Sequence, residues 1–90
     1  MDDADILKMT QANLDLLSLT PEREDQLNSL IKAAVGMIGR EGVTLSPPYS
    51  PEDANLVVMY AAYLYRKRAV DEPMPRMLRW ALNNRIFVGR

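Results

Sequence analysis

The stretch Ser50-Pro-Glu-Asp-Ala-Asn-Leu56-Val-Val-Met-Tyr-Ala-Ala-Tyr-Leu-Tyr65-Arg-Lys-Arg68 decides the fold. Ser50-Pro51-Glu52-Asp53 is a helix start: a side-chain oxygen to cap the first free amides, a proline in the first turn, and acids at the positive end of the helix dipole. Asp53 stands where a capping box would let it reach back. Between Ala54 and Tyr65 the pattern is apolar on most of the helical circumference. A helix of that kind is packed on more than one side and sits at the centre of a bundle. It is expected to run to about Val70, stopped by Asp71-Glu72-Pro73. Its uncharged run, Leu56–Tyr65, is far shorter than the ~20 residues that span a bilayer.

Working towards the amino terminus, residues 43–50 form a loop stiffened by Pro47-Pro48, since the residue before a proline is steered away from helix. Before it, Thr20-Pro21-Glu22 opens a second helix. There Leu27, Leu30, Ile31, Ala34, Val35 and Ile38 recur at helical spacing as one apolar stripe. That helix ends near Gly39-Arg40-Glu41-Gly42. A first helix is expected over about residues 3–16, and Leu19 could staple onto the next. Towards the carboxyl terminus Pro75 opens a last helix that is expected to stop at Asn83-Asn84, residues that tolerate left-handed backbone. Arg85-Ile-Phe-Val-Gly-Arg90 is then left as a β-prone apolar triplet between arginines with no strand beside it. It either folds back onto the helices or is completed by another subunit. The expected architecture is all-α: a small bundle of about four helices, a proline-containing central loop and an extended C-terminal tail. The domain is residues 1–84 and the tail 85–90, and removing the tail is expected to leave the domain folded.

Composition narrows the chemistry. Among 90 residues there is no Cys and no His. Thiolate nucleophiles, disulfides, His-based triads and the commonest metal ligands are therefore unavailable. No acid sits inside an apolar pattern that would raise its pKa, so no enzyme activity, cofactor or metal is expected. The acidic opening Met1-Asp2-Asp3 is the opposite of a secretory signal; a soluble product without a membrane partner is expected.

The net charge of −1 is unevenly placed. Residues 1–53 carry four basic and ten acidic side chains, −6; residues 54–90 carry seven basic and two acidic, +5. Either the two halves of one bundle attract, or subunits pack head to tail, acidic face to basic face. Arg66, Lys67 and Arg68, with Arg76, Arg79, Arg85 and Arg90, could face nucleic acid phosphates. They could equally be solvated cations at a helix C-terminal end. Three adjacent helical residues point in different directions, which argues against a single patch. Tyr60, Tyr63 and Tyr65 could stack on bases but lie in the apolar run and suit the core or a subunit seam. Trp80 lies off the face made by Leu78, Ala81 and Leu82 and is either an interface anchor or core.

The order of Leu27-Asn-Ser-Leu-Ile-Lys-Ala-Ala34, the proline loop, Ala61-Ala-Tyr-Leu-Tyr-Arg-Lys-Arg68, Met74-Pro75 and Leu78-Arg-Trp-Ala-Leu-Asn-Asn-Arg85 resembles the head–tail connector (adaptor, head completion) proteins of long-tailed bacteriophages. The similarity runs over nearly the whole chain and contains no catalytic motif. The resemblance implies a structural virion protein, made in the host bacterial cytoplasm and placed at the head–tail junction. It implies a ring of twelve subunits beneath the portal that extends the DNA exit channel, through which DNA passes non-specifically, and docks the tail or a stopper. The carboxyl tail of such proteins engages the portal, which makes Trp80, Arg85, Ile86, Phe87 and Val88 the candidate partner-binding residues. Arg66, Lys67, Arg68, Arg76 and Arg79 are the candidate subunit-facing or DNA-facing cations. The rival reading is a small helical DNA-binding regulator that uses the basic carboxyl half; a tight helical dimer of the antitoxin or scaffolding kind is a third.

Overall fold

A computed structural model describes residues 2–68 and 73–88. Four helices follow in chain order: α1 Asp3–Asn13, α2 Pro21–Arg40, α3 Pro51–Lys67 and α4 Arg76–Val88. Helix α3 packs against α1, α2 and α4, so the all-round apolar helix is the central one. Ala54, Leu56, Val57, Val58, Tyr60, Ala61, Ala62 and Tyr63 are all buried on it. On α2 the stripe resolves into Leu27, Ile31, Ala34 and Ile38 in the core, with Leu30 and Val35 half-buried at its edges. Val43, Leu45 and Tyr49 of the proline loop close the core from one side. Among the described residues no helix is long and apolar enough to cross a membrane.

Local chemistry sets the helix ends. Thr20 Oγ1 accepts from the Arg23 amide at 3.2 Å, and Ser50 Oγ from the Asp53 amide at 3.2 Å. The Asp53 carboxylate does not complete a capping box, because it is turned to Arg85 (2.7 Å). A reciprocal box does form where none was expected, between Asp2 and Asp5 at the head of α1. The Asp5 amide bond holds the Asp2 carboxyl below its usual 3.8. Helix α1 stops at Asn13, short of the expected residue 16, because Asp15 adopts φ +56°. The Asp15 and Leu16 amides then bond back to the Ala12 and Gln11 carbonyls, both at 3.1 Å. This is a Schellman stop with aspartate in the left-handed position that glycine usually takes. Gly42, at φ +110°, ends α2 in the same way, with the Val43 amide on the Ile38 carbonyl (3.3 Å).

The carboxyl end corrects the sequence expectation. Asn83 and Asn84 do not stop α4; Arg85, Ile86, Phe87 and Val88 continue it as regular helix. No strand or extended tail exists among the described residues, and the rest of the expected tail, Gly89 and Arg90, lies outside them. The cause is tertiary. Ile86 packs against the core and Arg85 pairs with Asp53. Together these outweigh the few tenths of a kcal/mol that β-branched residues lose in a helix. Pro75 stands just ahead of α4, its carbonyl accepting from the Arg79 amide at 3.1 Å. The continuation of α3 to Val70 and its stop at Asp71-Glu72 also fall outside the described residues; the last assigned residue of α3 is Lys67.

Candidate interaction surface

Helix α4 lies antiparallel to α3. Pro75 and Leu78 meet Tyr63 and Arg66 at one end, and Arg85 meets Asp53 at the other. Its inner face is Leu78 and Leu82, fully or almost fully buried, with Ala81 and Ile86 packed beside them. At about 100° of rotation per residue, Met77, Trp80, Asn84, Phe87 and Val88 fall within one arc of about 100° on the other side. That arc is open to solvent: Met77 is 69% exposed, Trp80 66%, Phe87 79% and Val88 69%. A helix ordinarily turns polar residues outward, so four large apolar side chains on the outer face are unusual for an isolated chain. Against one flank of the arc lies a hollow of about 280 Å³ lined by residues that include Glu52, Leu56, Met59, Trp80 and Val88.

Three of the five expected partner-binding residues lie on that arc. Trp80, Phe87 and Val88 share the outer arc; Ile86 points to the core instead. Arg85 is a structural cation, its guanidinium pushed further up than usual first by the hydrogen bond to Asp53. Met77 was not singled out by sequence, and the signal that would have found it is the wheel of 76–88 drawn as one unbroken helix.

The basic residues form no common patch. Arg79 pairs with Glu41 at 3.1 Å. Arg66 donates to the Asn13 backbone carbonyl at 3.4 Å and to its Oδ1 at 3.3 Å. Lys67 lies 5.6 Å from the centre of the Tyr63 ring, and Arg23 donates to the Tyr65 hydroxyl. Both ion pairs among the described residues, Arg79–Glu41 and Arg85–Asp53, join the basic half to the acidic half. Attraction within one bundle is thus part of what the charge asymmetry does. Arg68 and Arg76 are exposed.

Tyr60 and Tyr63 are core residues, edge to face with ring centres 6.1 Å apart, and not a stacking platform for bases. Burial, and after it Glu41, pushes the Tyr60 phenol above its usual 10.0. Among the described residues no buried side-chain nitrogen or oxygen lacks a partner. No group of three or more His, Cys, Asp or Glu among them could hold a metal ion. No protein-family model, no curated protein and no solved structure matches this chain.

Proposed function

We propose that this chain is a structural component of a phage head–tail junction. It joins the portal to the tail or stopper as a ring of twelve and acts by binding, with no covalent chemistry. The observation that carries this reading is the outer face of α4, where Met77, Trp80, Phe87 and Val88 stand in solvent on a helix fixed to the core by Leu78 and Leu82. An aromatic anchor on a rigid element is what a protein joint needs, because little side-chain freedom is lost when it docks. The portal joint is therefore a helix face laid into an apolar groove. The remaining charge asymmetry suits subunit contacts between acidic and basic surfaces within the ring. Localisation at the head–tail junction of the virion follows from the same reading.

The DNA-binding alternative is weakened by its own cations. Arg66, Arg79 and Arg85 are each engaged with groups of their own chain, and a phosphate would have to displace those groups. Titration with duplex DNA at near-physiological salt separates the two readings. A connector subunit shows no saturable binding below about 10⁻⁵ M, whereas a sequence-specific regulator binds its site at about 10⁻⁸ M or tighter. Tight, sequence-selective binding would overturn the connector reading.

A further inference from the structure

The exposed arc of α4 carries a spacing that fits itself. Met77, Trp80, Asn84 and Phe87 are separated by three, four and three residues, which reads the same in either direction. Two copies of α4 laid antiparallel about a two-fold axis on the outer face, level with residue 82, therefore bring Met77 onto Phe87 of the second copy and Trp80 onto its Asn84. Both pairings are chemically complementary. A thioether packs well against an aromatic ring. The indole N–H, a donor only, meets a carboxamide that can accept. Each contact occurs twice, as a two-fold interface requires.

Area and charge favour the same occupant. The exposed portions of Met77, Trp80, Phe87 and Val88 leave on the order of 500 Å² of apolar side chain per copy, hence ~1,000 Å² for a pair, about the least area a specific interface needs. Of the cations beside the arc, Arg79 and Arg85 are each paired with a carboxylate of their own chain. The exposed Arg76 falls opposite Val88 of the second copy, so the two Arg76 residues stand about 18 Å apart along the helices.

We infer that the isolated chain is a two-fold dimer through the outer face of α4, with a second copy of this chain as the occupant. At that interface size the dissociation constant falls at about 1–100 µM. The self-pairing stands on α4 alone. Its consequence rests on the connector reading: the dimer covers the docking face and must open before the chain joins another protein.

Sedimentation equilibrium from about 5 to 500 µM tests the inference without any partner. The expected result is a monomer–dimer equilibrium that salt leaves unchanged or tightens, as apolar contacts do. It should be accompanied by a blue shift in the emission of Trp80, the chain's one tryptophan. Trp80→Glu should weaken the dimer at least ~30-fold, the scale expected for losing a central aromatic anchor, with its circular dichroism unchanged. Because the chain has no Cys, Met77→Cys and Phe87→Cys chains can be mixed and oxidised. In an equimolar mixture the mixed disulfide should far exceed the half share of all disulfides that random pairing gives. A monomer at 500 µM (about the highest concentration tested), a dimer indifferent to Trp80→Glu, or a mixed disulfide at or below half of the total would each overturn the inference. None of these outcomes bears on whether the chain binds a portal.

Discussion

Ala61→Asp abolishes the cooperative thermal transition of this chain. Ala61 has no exposure at all and sits on the central helix α3, within the cluster that draws on every helix and the proline loop. A body measuring 40 × 30 × 18 Å is about two helices thick in its thin direction. Such a core has no spare interior in which a carboxylate could find water or a partner. An unpaired buried carboxylate costs several kcal/mol, against a total stability of about 5–13 kcal/mol for a chain of this length. Ile31→Asp, on the facing stripe of α2, is expected to behave alike. Thermal melts followed by circular dichroism check both, and a wild-type midpoint for either would show that the residue is not in the core.

Truncation after Asn84 destabilises the domain by about 2.5–5 kcal/mol. The cut removes Ile86 from its seat on the core, worth about 1–2 kcal/mol for a half-buried aliphatic side chain. It also strips the Asp53 carboxylate, 18% exposed, of the Arg85 bond at 2.7 Å. Losing a hydrogen bond to a charged group of this kind costs about 1.5–3 kcal/mol. For a domain of this size the melting midpoint should fall by ~10 °C or more. Phe87→Ser, on the exposed arc, should leave the midpoint within a few degrees. Equal midpoints for the truncated and full chains would mean that the last turns of α4 hold nothing.

These two effects mark where sequence was a good guide. The central helix was legible because its apolar residues go all the way round, and α2 because its stripe recurs without interruption from Leu27 to Ile38. Both patterns report burial directly. The end of α1 was misplaced because Asp15 is not glycine: aspartate enters the left-handed region more readily than most side chains, but is too common in helices and loops to mark a stop by itself. The end of α4 was misread for a different reason. Ile86, Phe87 and Val88 have strand-like local preferences, while the contacts that keep them helical, Arg85 to Asp53 and Ile86 to the core, join positions 32 residues apart or come from other helices.

The candidate site inherited that error. With 85–88 read as extended, Trp80, Phe87 and Val88 could only be named one by one. As one helix they become a single apolar face that also takes in Met77. The cations show the complementary limit: composition gives their number, but not that Arg79 and Arg85 are committed to Glu41 and Asp53. On the proposed reading the partner is met by a helix face, because residues 85–88 are helical and offer no strand.

On the proposed reading this chain joins a portal through the outer face of α4. Negative-stain imaging of the full chain mixed with its cognate portal, beside the same mixture made with Trp80→Glu, tests it most directly. The expected result is an added ring of density beneath the portal with the wild-type chain and none with the variant, although both chains are folded. A bare portal in both mixtures, or an identical ring in both, would contradict it.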